Sequence, residues 1–233
     1  MTICEMVNTP INTFIGKNGE KLEIYYDELE HDIDEYEFDL KYYVWGSRAY
    51  PSLQSNDYSS FEEWYDSLMG EGAFRKQADK SKAANHGEVK FYYDLCDNLD
   101  KKGYYAWPIL ALEHGSIHYY FGDSIQRFEG YVAGVAFSSK RELYEVYKVK
   151  RLIPKVKKEI FDRATDNLRY ITEACNGNVY RFVYYKDKDD DTFYDSCAGF
   201  CGYETQKDML IAMLDNIGIE DSEEFYETMT EQE

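Results

Sequence analysis

Proline is scarce, with 4 in 233 residues, and neither a proline-rich linker nor an internal repeat divides the chain. No apolar run reaches the ~18 residues of a membrane-spanning helix, so no such helix is expected. The first ten residues include Glu5 and lack a basic start with an apolar stretch behind it, so no signal peptide is expected. Cations are outnumbered: 26 Lys and Arg face 45 Asp and Glu, a net charge of -19. A chain of that charge is repelled by a bare phosphate backbone and by an anionic bilayer. Neither direct duplex DNA binding nor membrane binding is expected. Cysteines number five (Cys4, Cys96, Cys175, Cys197, Cys201), odd in count and irregular in spacing. That argues against a disulfide framework and for a reducing compartment.

Catalytic signatures are also missing. No G-x-G-x-x-G follows a strand signal, and there is no G-K-[ST], G-x-S-x-G or H-E-x-x-H. The four histidines include His114 and His118, but on a strand these stand ~13 Å apart, too far to share a metal. Cys197 and Cys201 have neither the redox spacing nor a second pair to complete a zinc site. The glycines of GYVAGVAFSSK are separated by strand-like apolar residues, which does not suit a phosphate loop. The expectation is a protein that is not an enzyme, with no catalytic residue, no metal and no cofactor.

What is present is apolar and aromatic material. Hydrophobic residues reach 44%, and 24 Tyr, 13 Phe and 3 Trp supply enough bulk for a packed core. Turn signals at Gly16–Gly19 and alternation through Leu22, Ile24 and Tyr26 predict a hairpin over 11–26. Strands are expected at 40–50, 104–112 (with Pro108 at a bulge or edge), 117–121, 131–137, 179–185 and 192–197. Ser60 with Glu63, and Ser139 with Glu142, read as capping boxes. Residues 71–87 read as a loop or frayed helix, the best place for a mobile segment, and 88–99 as a helix. Val156, Ile160, Ala164, Leu168, Ile171 and Cys175 recur every three or four residues, and predict a long helix from Pro154 to Gly177. Two further helices follow Thr205 and Asp221 or Ser222, and Gly199 and Gly202 mark a turn needing positive φ. Strands and helices come in blocks, which argues α+β: antiparallel sheet regions packed with several amphipathic helices, in one body or two lobes. The composition divides the chain into an acidic region, 1–100, and an α+β region, 101–233.

Charge is unevenly spread. Residues 1–70 hold 15 acids and 4 bases, residues 176–233 again 15 and 4, while 141–175 hold 6 and 9. One dense acidic run spans 27–39, interleaved with Leu29, Ile33, Tyr36 and Phe38; a second is 186–191, KDKDDD; the third is 220–233. The cations at Lys148, Lys150, Arg151, Lys155, Lys157 and Lys158 form one basic run. Its first reading is a helix surface that pairs with the chain's own acids; its second is a contact to RNA, DNA or an acidic partner.

Residues 176–204, NGNVYRFVYYKDKDDDTFYDSCAGFCGYE, resemble a family of small acidic proteins of bacteriophages and other mobile elements. That family carries a GDVYGY strand, an acidic turn and a DSCWGFYG ending. Gly177, Val179, Tyr180, Asp195, Ser196, Cys197, Gly199, Phe200 and Gly202 match it, while Ala198 and Cys201 depart from it. Upstream, Gly130, Gly134, Ser139 and Lys140 of FEGYVAGVAFSSK match a further segment loosely, so the resemblance covers about 110–204. It implies a mobile-element accessory protein acting in a host cytoplasm, with no residue role to transfer. Together with the acidic runs, it leads to the expectation of an inhibitor of a host nucleic-acid-targeting defence. The partner would be a basic nucleic-acid-binding host protein, such as a CRISPR effector or restriction nuclease. Carboxylates at Asp32, Asp34, Glu35, Glu37, Asp39, Asp189, Asp190 and Asp191 would meet its cationic groove, with Tyr36 and Phe38 as anchors. The alternatives are a metal-dependent enzyme on nucleic acid or nucleotides, and a non-inhibitory phage binding or structural protein.

Overall fold

The computed structural model describes residues 9–27, 38–45, 56–125, 130–189, 192, 194–203 and 205–232. The fold is α+β, with two wholly antiparallel sheets and several amphipathic helices. Contacts group the chain into two compact units. Unit 1 comprises Met1–His31 and Asn176–Glu233, and unit 2 is the intervening Asp32–Cys175. The grouping does not follow a division at residue 100, because the helix and strand flanking that point lie in the same unit.

Unit 1 is built on a five-stranded sheet in the order β8-β7-β2-β1-β9. Strands β1 (Asn12–Ile15) and β2 (Lys21–Tyr26) form the expected hairpin, closed by Gly16 N–H to Glu20 O at 2.9 Å. Strand β2 pairs along its length with β7 (Tyr180–Tyr185), and β7 pairs with β8 (Asp195–Phe200) across the KDKDDD turn. The return strand therefore begins three residues later than the sequence suggests. Gly199 and Gly202 adopt φ of 87° and 75°, as expected. Gly199 N–H donates to Asp27 Oδ2 at 3.0 Å, so Asp27 rather than a neighbouring side chain holds that backbone. Strand β9 (Thr230–Gln232) pairs with β1 and was not expected from its TEQ sequence. One sheet face carries Phe14, Leu22, Ile24, Phe182 and Tyr184. It packs against Met209, Leu210, Met213 and Leu214 of α6 (Gln206–Ile217) and Phe225 of α7 (Ser222–Thr228).

Unit 2 places a four-stranded sheet, β3-β6-β4-β5, between two helical layers. Its strands are β3 (Lys41–Val44), β4 (Tyr104–Glu113), β5 (Ile117–Tyr120) and β6 (Gly130–Ser139). Strand β4 is central; Pro108 pairs with Val135, and the register with β6 shifts between Ile109 and Leu110, where Ala133 of β6 is the extra residue. The long helix α5 (Pro154–Cys175) covers one face with the predicted stripe, every member of which is buried. On the other face lie α1 (Phe61–Met69), α2 (Ala73–Ala83) and α3 (Glu88–Lys101), packed on Tyr43, Val135 and Phe137.

Two local expectations need correction. Residues 73–83 are a helix, because the Asp66 carboxylate of α1 receives Gly72 N–H and Phe74 N–H, both at 2.8 Å, and fixes its first turn. Ser60 caps α1 through Glu63 N–H, but the Glu63 carboxylate turns to Ser59 N–H and Oγ, so the box is only half formed. The box at α4 (Lys140–Val146) is complete, with Ser139 and Glu142 reciprocally bonded. Gly134 is an interior β6 residue where the β3 backbone approaches closely: a Cβ would lie 2.0 Å from Tyr43 O.

Candidate functional site

The fold concentrates the acidic charge. Unit 1 holds 21 Asp and Glu against 6 Lys and Arg, net -15, and unit 2 holds 24 against 20, net -4. Residues 176–233 supply most of this, 15 acids against 4 bases, and residues 1–31 add 6 against 2.

Most cations of unit 1 are engaged locally. Lys21 sits 3.1 Å from Glu23 and 3.9 Å from the Tyr185 ring centroid. Arg181 lies 4.3 Å from the Tyr25 ring, and Lys186 lies 3.6 Å from that of Tyr194. Lys207 pairs with Glu223 at 3.3 Å beside the Tyr226 ring. The sheet register creates this, since Lys21 opposes Tyr185 and Tyr25 opposes Arg181, all on the face away from α6. Glu23 completes the row and accepts from Tyr25 Oη at 2.7 Å. Burial pushes its acidity down, but the Tyr25 hydroxyl and Lys21 ammonium outweigh that and hold its pKa below the usual carboxylate value. These cations are fully counted in the net -15, so the field of unit 1 comes from its excess of carboxylates.

Those carboxylates form two groups. In the β7–β8 turn Asp187 and Asp189 are exposed, and Asp189 N–H donates to Asp187 Oδ1 at 3.0 Å. Lys188 N–H donates to Gly19 O at 2.6 Å, tying this turn to the β1–β2 hairpin. The second group is on α7, where Asp221, Glu223, Glu224 and Glu227 line a shallow hollow of about 370 Å³. Glu223 and Glu224 favour the positive end of the helix dipole, whereas Glu227 lies at the opposite end and one turn from both. The run 220–233 was visible in the sequence, but α7 was not singled out. The signal was its pair of glutamates directly after a cap position.

The other expected residues fare differently. Asp32, Asp34, Glu35, Tyr36 and Glu37, and likewise Asp190 and Asp191, lie outside the described residues. Asp39 is not a free surface carboxylate. Its side chain is 11% exposed, takes Arg163 Nη1 at 2.8 Å and accepts from Tyr147 Oη at 2.6 Å. Phe38 is half-buried and packs edge-on to Tyr42 and Tyr170, a core role in place of the expected anchor. Both corrections have one cause: β3 begins two residues later and draws the end of the acidic run against α5.

The basic run also departs from its first reading. Lys158 pairs with Asp162 at 2.5 Å and Lys157 lies over the Tyr105 ring. Lys148, Lys150, Arg151 and Lys155 are exposed and form no ion pair among the described residues.

No group of three metal-ligating side chains converges among the described residues, and no described helix is long and apolar enough to cross a membrane. Cys197 and Cys201 are half-exposed thiols; Cys96 and Cys175 are buried, and burial pushes the Cys175 thiol up to about 12. In unit 2 a hollow of about 280 Å³ is lined by Tyr43, Tyr58, Trp64, Tyr104 and Phe137. Lys41 and Glu142 also line it, and the Glu142 carboxylate is bonded by Ser138 and Ser139. No family model, curated protein or solved structure matches the chain.

Proposed function

We propose that this protein inhibits a host nucleic-acid-targeting defence by binding a basic effector through the acidic surface of unit 1. One observation carries the reading: a net -15 in a single folded unit, most of whose few cations are held on rings or by carboxylates. A CRISPR effector or restriction nuclease holds nucleic acid in a positively charged channel, and fixed carboxylates on a rigid sheet-and-helix scaffold compete for its arginines. The α7 carboxylates and the β7–β8 turn are the contact groups, with long-range attraction speeding capture. The likeness of residues 176–204 to mobile-element proteins supplies the biological setting.

Binding of this kind is stoichiometric and needs no turnover. The test titrates the purified chain into cleavage reactions of purified effectors and restriction nucleases at 50 and 300 mM salt. Inhibition complete near a fixed molar ratio and weakened by salt supports the proposal. Inhibition at far sub-stoichiometric amounts, or destruction of the nucleic acid by this chain, refutes it in favour of an enzyme.

A further inference from the structure

A second surface, in unit 2, has the opposite character. Between α4 and α5 the chain turns through Lys148, at φ 51°, and Val149 N–H donates to Tyr144 O at 3.0 Å. That turn and the start of α5 present Lys148, Lys150, Arg151 and Lys155 to solvent without an ion pair among the described residues.

Their position is also unfavourable for folding. Helices α1, α3, α4, α6 and α7 each carry an acid in the first turn, as the helix dipole favours. The longest helix, α5, has none, and opens with Lys155, Lys157 and Lys158. The rule is kept at five of the seven helices and broken at α2 and α5, both of which open on cations.

Exposed apolar residues share the patch. Val146, Ile153 and Phe161 are three of the seven exposed large hydrophobics among the described residues; Val146 and Ile153 flank the cations in sequence, and Phe161 follows on α5. Phe161 lies 5.5 Å from both Trp107 and Phe121, centroid to centroid, and Trp107 lies 4.4 Å from Tyr105, over which Lys157 sits at 5.1 Å. Lys157 thus joins the start of α5, where Lys155 lies, to this ring cluster.

We infer that this patch docks single-stranded nucleic acid, with the four unpaired cations meeting phosphates and Phe161, backed by Trp107, meeting unstacked bases. Basic groups beside exposed rings are the elements of single-strand recognition, since every base offers a π-face. An acidic peptide would use the cations and leave the rings idle. A duplex hides its base faces and brings a denser charge to a chain of net -19. The net charge does not forbid the contact, because unit 2 is only -4 and exposed charges are screened over about 8 Å at physiological salt. This surface is independent of the acidic one.

The test is fluorescence anisotropy of the full chain with a labelled single-stranded 15-mer, as RNA and as DNA, over 50–200 mM salt. Four phosphate contacts give a log–log salt slope of about -3, or about 50-fold weaker binding across that range. K150E/R151E should weaken binding at least tenfold. F161A should weaken it about tenfold and leave the salt slope unchanged, because it removes stacking and no charge. Circular dichroism of each variant confirms the fold. No binding at 50 mM salt overturns the inference, as does binding that K150E/R151E leaves intact. Tighter binding to a duplex, to polyglutamate or to phosphatidylserine vesicles than to the single strand also overturns it, as does an F161A variant of unchanged affinity.

Discussion

Gly134→Ala should disrupt one edge of the unit 2 sheet, and the size of the effect follows from the geometry. The added Cβ would lie 2.0 Å from Tyr43 O, 2.8 Å from Val44 Cα and 2.9 Å from Tyr43 C. Ordinary contact begins near 3.4 Å, so β3 must retreat by more than 1 Å. The atoms in the way are backbone and cannot rotate aside. Strand β3 is an edge strand, held to β6 by four residue pairs and by Trp45 N–H to Ala133 O at 2.8 Å, so it yields at the cost of that ladder. Overpacking of this kind costs about 1–3 kcal/mol. At roughly 2–4 °C per kcal/mol for a chain of this size, the melting temperature falls by about 2–12 °C. Near-UV circular dichroism should also lose intensity, because Tyr43 packs on Trp45 and Phe137. The control is Gly122→Ala, whose Cβ meets nothing closer than 3.4 Å. A Gly134→Ala variant that melts with the wild type, or no lower than the control, refutes the close approach.

Arg163→Ala leaves the 11%-exposed Asp39 carboxylate with Tyr147 alone, and should destabilise by about 1–2 kcal/mol in urea titration, an estimate reduced because Arg163 is half exposed. The pKa of Glu142 is lowered, first by the Ser139 hydroxyl, so its contribution to stability is present above the unfolded value near 4.3 and is lost as pH falls through the lower folded value. Glu142→Gln should therefore flatten the stability profile on the acid side of about pH 4.3, and an unchanged profile would contradict the assignment. Native thiol titration should modify Cys197 and Cys201 quickly and leave Cys96 and Cys175 for the unfolded chain, since burial raises both buried thiols.

Elements stabilised by their own sequence were legible in it. The α5 stripe, the β1–β2 hairpin and the Ser139–Glu142 box depend on residues within a turn or two of each other, and all three form. The failures depend on distant partners. Helix α2 has few apolar residues and takes its first-turn acceptor from α1 through Asp66. Strand β9 has only Thr230 as a β-prone residue and forms by pairing with β1. The joining of the N-terminal hairpin to the acidic C-terminal segment in one unit follows from β2–β7 and β1–β9 pairing, which no local period encodes. The site was half legible for the same reason. Composition located the acidic runs, but only the packing shows that Asp39 is tied to Arg163 while Asp221, Glu223, Glu224 and Glu227 face solvent together.

The most direct measurement is protection of a plasmid targeted by a CRISPR effector or restriction nuclease in cells making this chain. Wild type is compared with a folded variant carrying D187N, D189N, D221N, E223Q, E224Q and E227Q. The account predicts a targeted plasmid transformed as efficiently as an untargeted one with wild type, and loss of that protection with the neutralised variant. Equal protection by both chains would contradict an acidic contact surface.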